Sequence, residues 1–121
     1  MISAIIIDDE QHCIDRLSSL LKENHQDTII LTGTFSTIEE GLAAISKLQP
    51  QLVFLDVQIH DRTGFDLLKQ LSKIHFDIIF TTAYEKYAVQ AIKFSALDYL
   101  LKPVSAEDLG IAIAKIAEKM A

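Results

Sequence analysis

Cysteine is almost absent from this chain. Cys13 stands alone among 121 residues, so no internal disulfide can staple the fold. That suits a reducing compartment, and a cytoplasmic location is expected. Cys13 falls in a helix-like stretch, where packing is its expected role. No apolar run approaches the roughly 20 residues of a membrane span, and no signal peptide is expected. Basic clusters are missing too: 11 Lys and Arg stand against 17 Asp and Glu, for a net charge of −6 at pH 7. A domain that binds nucleic acid by itself needs a Lys/Arg stripe to neutralise phosphates, and none is present. Linkers, low-complexity stretches and sequence repeats are also lacking. The length fits one domain over residues 1–121.

What is present is an alternation of apolar strand-like runs and helical periodicities, repeated five times. The strands are expected at Ile2–Ile7, Thr28–Phe35, Leu52–Leu55, Ile78–Thr82 and Leu97–Leu101. Between them, Ile14, Leu17 and Leu21 share one helix face, and Ile38, Leu42 and Ile45 share another. Ser36 or Thr37 can cap that second helix, and Pro50 stops it. A polar loop, Gln58–Thr63, leads to Gly64 and a third helix carrying Leu67, Leu68 and Leu71. A fourth helix is expected over Tyr84–Phe94, and a fifth, capped by Ser105, has a stripe of Leu109, Ile113 and Ile116. Strands alternating with helices imply right-handed βαβ units around a parallel sheet. The expected fold is α/β, a flavodoxin-like (βα)5 sheet of order 2-1-3-4-5 with helices on both faces.

Three of the apolar runs end in charge. Ile5-Ile6-Ile7 runs into Asp8-Asp9-Glu10, Leu52–Leu55 ends on Asp56, and Tyr99-Leu100-Leu101 ends on Lys102-Pro103. Ligands of open parallel sheets bind beyond the carboxyl ends of the strands. The strand order sets the first and third strands side by side, so the carboxylates converge, and like charges there repel. Without a cation, at least one carboxyl pKa should rise. Mg²⁺ takes oxygen ligands, usually one or two carboxylates with water and phosphate. Asp9 and Asp56 can supply those two, with Asp8 binding through water. Such a carboxylate can also attack phosphorus, with a metal and an ammonium neutralising the transferring group. Lys102 is the one strong candidate for that ammonium, and Thr82 offers a hydroxyl.

Together, Ile5-Ile6-Ile7-Asp8-Asp9-Glu10, Leu55-Asp56, Gly64, Thr82-Ala83 and Tyr99-Leu100-Leu101-Lys102-Pro103 resemble the receiver domain of bacterial response regulators. The resemblance covers residues 2–119, and its fold is the CheY-like form of the topology above. Phe80-Thr81-Thr82-Ala83-Tyr84 and Ser95–Pro103 are most similar to receivers of the LytTR type (the LytR/AlgR regulators), which usually precede a DNA-binding domain. The resemblance implies that Asp56 accepts phosphate from a sensor histidine kinase. It implies Mg²⁺ or Mn²⁺ held by Asp8, Asp9, Asp56 and the backbone carbonyl of Gln58. Thr82, the Ala83 backbone and Lys102 would contact the phosphoryl group. Thr82 and Tyr99 would form a switch pair, and the bond before Pro103 would be cis. A homodimer through the fourth helix, fifth strand and fifth helix would follow phosphorylation. DNA would be reached only through a C-terminal domain, and no membrane is involved.

One departure stands out: Ile59-His60 replaces the family's usual Met-Pro after the acceptor. Losing that proline frees φ and adds an N–H donor, so a looser loop is expected. Two rival functions remain open. A Mg²⁺-dependent aspartyl-phosphate phosphatase would usually carry Asp-x-Asp, whereas here the run is Asp56-Val57-Gln58. A pseudo-receiver would lack one of the acidic or Lys positions, and none is missing. A stand-alone receiver acting by protein contact is the alternative output, so the domain itself is not expected to be an enzyme. His12, His25, His60 and His75 are scattered without metal-ligand spacing and are expected on the surface, His60 close to the site.

Overall fold

Five parallel strands form the centre of the molecule, and the computed structural model describes residues 1–121. The order is β2 (Ile29–Phe35), β1 (Ile2–Ile7), β3 (Leu52–Asp56), β6 (Asp77–Thr82) and β7 (Asp98–Leu101). A separate two-stranded hairpin joins β4 (Gln58–Ile59) to β5 (Arg62–Thr63). The helices are α1 (Gln11–Asn24), α2 (Ile38–Leu48), α3 (Gly64–Lys69), α4 (Ala88–Lys93) and α5 (Ala106–Lys119). Counting only the sheet strands, this is the order 2-1-3-4-5, with helices on both faces.

Side chains along a strand alternate between the two faces of a sheet, so a strand covered on both sides must be apolar throughout. The central strands obey this. Ile2, Ala4 and Ile6 of β1, Leu52 and Phe54 of β3, and Ile79 of β6 pack with Ile14, Leu17 and Leu21 of α1 and Leu109, Ile113 and Ile116 of α5. On the opposite face, Ile5, Ile7, Val53, Leu55, Ile78 and Phe80 pack with Ile38, Phe65, Leu67, Leu68 and Ala91 from α2, α3 and α4. A continuous apolar run is therefore two alternating half-runs, each serving its own core.

Helix starts follow their caps. Thr37, rather than Ser36, caps α2, its hydroxyl accepting from the Glu40 N–H at 3.1 Å. Ser105 caps α5 by accepting from the Asp108 N–H at 3.0 Å. Thr63 and Asp66 form a reciprocal capping box at the start of α3.

Three elements differ from the sequence reading. The buried line of α2 is Ile38, Gly41 and Ala44, with Leu42 and Ile45 flanking it half-buried. Small residues on that line let the helix lie close to Ile7 of β1. The expected helix over Tyr84–Phe94 is a 3₁₀ turn, Glu85–Tyr87, followed by the short α4. Only Ala91 of α4 is buried, and neither start has a side-chain cap, so little holds a longer helix there. The Gln58–Thr63 stretch is paired as β4 and β5 instead of lying open.

Candidate functional site

Parallel pairing in register brings the charged strand ends to one edge. Ile7 of β1 lies opposite Leu55 of β3, Asp56 opposite Thr81 of β6, and Thr82 opposite Leu101 of β7. Asp8, Asp56, Thr82 and Lys102 thus follow one another along the carboxyl edge. Backbone bonds hold this edge together: Asp8 N–H donates to the Phe35 carbonyl at 2.9 Å and Lys102 N–H to the Thr82 carbonyl at 2.8 Å. The Lys102–Pro103 peptide bond is cis.

Lys102 is the centre of the site's electrostatics. Its Nζ lies 2.9 Å from Asp8 Oδ2, 3.2 Å from Asp56 Oδ2 and 3.4 Å from Glu10 Oε1. Both aspartates are buried and none of the site's buried side-chain polar atoms lacks a partner. Burial pushes the Asp56 carboxyl up to about 7, and the Asp8 charge adds to it, against the pull of Lys102 and the Gln58 N–H. The Lys102 ammonium is itself held above its ordinary value. Burial would lower it, but the hydrogen bond to Asp8 and the charges of Asp56 and Asp8 outweigh that. The rise expected for at least one carboxyl falls on Asp56, with burial as its first cause and the Asp8 charge second.

Asp9 reaches from the cleft toward the β4–β5 turn. Its Oδ2 accepts the His60 backbone N–H at 2.8 Å, and His60 Nδ1 is 3.8 Å away. His60 sits at φ 55, and its Nε2 is 3.1 Å from the Ser36 carbonyl. A proline at position 60 would have no N–H to give Asp9 and could not adopt that φ. The departure from Met-Pro thus produces an anchored hairpin, further tied by an Arg62–Glu39 ion pair, where a looser loop was expected.

Gln58, Thr82, Ala83 and Tyr84 line a cleft of about 440 Å³ together with Asp9, Glu10, Asp56, His60 and Lys102. One carboxylate oxygen from each of Asp8, Asp9, Glu10 and Asp56 comes within 4.8 Å of the other three. An all-oxygen, strongly acidic donor set of this kind fits a hard divalent cation such as Mg²⁺ or Mn²⁺. One ammonium against four carboxylates leaves charge for it to balance.

On the cleft wall, the Thr82 hydroxyl accepts the Tyr84 N–H at 3.2 Å, and the Tyr99 hydroxyl donates to the Tyr84 carbonyl. Tyr84 therefore connects the Thr82 hydroxyl to the Tyr99 phenol. Burial raises the Tyr99 phenol above its ordinary value, against contacts with Tyr87 and the Thr82 hydroxyl. Gln58 Nε2 also donates to the Tyr87 hydroxyl at 3.0 Å, tying the hairpin to the turn before α4.

Sequence reasoning passed over Glu10 and Tyr87. Glu10 stands at the N-cap of α1 yet makes no side-chain cap bond. Its place directly after the Asp pair was the available signal. Nothing local marks Tyr87, whose role comes from a contact across 29 residues. Of the histidines, His25 is half-buried rather than exposed, and burial lowers its imidazole pKa.

The family model described as the response regulator receiver domain matches residues 4–114. The chain is 38% identical over 109 residues to the sensory transduction protein LytT of Bacillus anthracis, covering 88% of this chain and 44% of that protein. It is 35% identical over 120 residues to the transcriptional regulatory protein BtsR of Escherichia coli K12, covering 98% of this chain and 49% of that one. The chain thus spans about half the length of the curated relatives it matches. Among solved structures, the response regulatory domain of protein mrkE from Klebsiella pneumoniae aligns with a TM-score of 0.86 at 28% identity, covering 97% of this chain and 96% of that one.

Proposed function

The chain belongs to the response regulator receiver family, and from that premise we propose that it is a phosphorylation-controlled switch with Asp56 as phosphoacceptor. The observation that carries this reading is Lys102 Nζ held 3.2 Å from Asp56 Oδ2 at the floor of an acidic cleft. A sensor histidine kinase would present a phosphohistidine at the cleft mouth. An Asp56 oxygen attacks phosphorus, the P–N bond breaks, and the imidazole leaves with the bonding pair. Asp8, Asp9, Asp56 and the Gln58 carbonyl are the proposed holders of Mg²⁺ or Mn²⁺. When bound, that ion would neutralise charge on the transferring phosphoryl oxygens. Lys102, the Thr82 hydroxyl and the Ala83 backbone N–H contact the same oxygens.

Phosphorylation adds roughly −1.5 to −2 charge at Asp56. New contacts to Thr82 and Lys102 then bias a two-state element, which we take to be Thr82 with Tyr99. Because Tyr84 bonds to both of them, drawing Thr82 toward the phosphoryl group disturbs the Tyr99 anchor. The output surface is α4, β7 and α5. Val89 and Ile92 on α4 are 69% and 74% exposed, and Leu101 of β7 and Ile111 of α5 are exposed as well. Phosphorylation-dependent homodimerisation through this face is the proposed output step. The names of LytT and BtsR support a regulatory output, which we place in a C-terminal LytTR DNA-binding domain.

The test is incubation with acetyl phosphate and Mg²⁺, followed by intact mass measurement. One phosphate retained per chain is expected, and Asp56→Asn should take up none while keeping its circular dichroism spectrum. Catalytic release of phosphate without retention would indicate a phosphatase, and no uptake at all a pseudo-receiver.

A further inference from the structure

Glu10, His12 and Cys13 bring a carboxylate, an imidazole and a thiol together at the start of α1. Their ligand atoms lie within 4.8 Å of one another. His12 Nε2 is 3.7 Å from Glu10 Oε2, and Cys13 Sγ is 4.0 Å from Glu10 Oε1. Donors bound tetrahedrally to zinc, at bonds of about 2.0–2.3 Å, stand about 3.3–3.8 Å from one another. The trio needs to contract only modestly to reach that spacing.

The donor chemistry separates this cluster from the acidic cleft. Asp8, Asp9 and Asp56 offer oxygen alone, the choice of a hard cation. Oxygen, nitrogen and sulfur together suit a borderline transition metal. We propose that Glu10, His12 and Cys13 form a second cation site, selective for divalent transition metals with Zn²⁺ as the reference ion. Access is open: the His12 and Glu10 side chains are 79% and 50% exposed. Cys13 is half-buried on the wall of a cavity of about 290 Å³ that also reaches Lys102. That cavity gives water or a small ligand room to supply a fourth donor.

Glu10 links the two sites. Its Oε1 is 3.4 Å from Lys102 Nζ, so it belongs at once to the cleft and to the trio. A metal held by the trio draws this carboxylate off Lys102 and leaves the ammonium to Asp8 and Asp56.

Titration of the whole chain with Co²⁺ in excess Mg²⁺ tests the site. A thiolate ligand gives a sulfur-to-cobalt charge-transfer band, and tetrahedral geometry gives intense visible bands. One equivalent of Co²⁺ per chain should produce both, and Zn²⁺ should displace it while Mg²⁺ does not. Cys13→Ser should remove the charge-transfer band, and His12→Gln should weaken Co²⁺ binding by at least about tenfold. Absence of the band at saturating Co²⁺ would overturn the proposal. So would native Co²⁺ affinity in His12→Gln, or a stoichiometry of one metal per two chains, which would mean that lone thiols of two copies bridge the ion.

Discussion

Asp56 shows how far a single residue can be read from sequence. Its place at the end of an apolar run was enough to put it among other carboxylates, and strand order was enough to predict repulsion. Which carboxyl would bear the strain was not legible, because that depends on where Lys102 points. In the structure Lys102 lies nearest Asp8, and the Glu10 N–H donates to Asp8 Oδ1 at 2.9 Å. Asp56 is left with burial as its largest influence and a pKa of about 7 against an ordinary 3.8. In the unfolded chain Asp56 ionises near its ordinary value, whereas the folded site keeps its proton until about pH 7. Stability from this group is therefore full below pH 4 and is lost as pH rises to 7. Asp56→Asn cannot lose it. In chelator-treated protein, the variant should gain roughly 2–4 kcal/mol on the native chain between pH 4.5 and pH 8. Urea unfolding at both pH values measures this. Equal gains at the two would mean that Asp56 ionises in the folded state near its ordinary value.

At the scale of elements, the long strands and α1, α2 and α5 were legible because their periodicities run for several turns or both faces. Gly64 was readable as a helix-entry residue and as one piece of the receiver resemblance, but not in its packing. The structure shows why no side chain fits there, since a Cβ would lie 2.4 Å from the Asp56 carbonyl oxygen and 2.8 Å from Leu55 Cγ. The obstacle is backbone of β3, which cannot move cheaply. Gly64→Ala should cost about 1–3 kcal/mol in thermal or urea unfolding. Gly110 is the opposite case. It lies within α5, and a Cβ added there would meet no atom within 4 Å. Gly110→Ala should therefore stabilise by about 0.5–1 kcal/mol through helix propensity alone. A loss in that variant would show that something approaches α5 there. The Tyr84–Phe94 segment was expected as one helix because Ala88, Ala91 and Ile92 look like a weak core stripe, of which only Ala91 is buried. Val89 and Ile92 point outward instead, which local spacing could not distinguish.

For the whole molecule, the question is whether the outward face of α4 responds to the cleft. The physical connection is short and passes through named groups. Asp56 accepts from the Gln58 N–H at 3.3 Å, and the Gln58 side chain holds the Tyr87 hydroxyl. Thr82 and Tyr99 meet at opposite ends of Tyr84. Tyr84, Tyr87, Phe65, Phe80 and Phe94 form a run of aromatic contacts from the turn before α4 to α3 and β6, with centroid separations of 5.0–6.3 Å. A phosphoryl group at Asp56 shifts this arrangement only by its differential contacts in the two states. Couplings between sites are typically about 5–150-fold. Beryllofluoride, a phosphoryl mimic, is expected to tighten self-association of the native chain within that range in sedimentation velocity. Tyr99→Ala removes the phenol that bonds to Tyr84 but no group at Asp56. It should bind beryllofluoride while its association changes by less than about threefold, below the range of ordinary coupling. Ile92→Glu should abolish association with or without the mimic, since it places charge on the proposed contact face. If Tyr99→Ala dimerises as strongly as the native chain on adding the mimic, Tyr99 is a packing aromatic and the signal reaches α4 by the Gln58–Tyr87 contact alone.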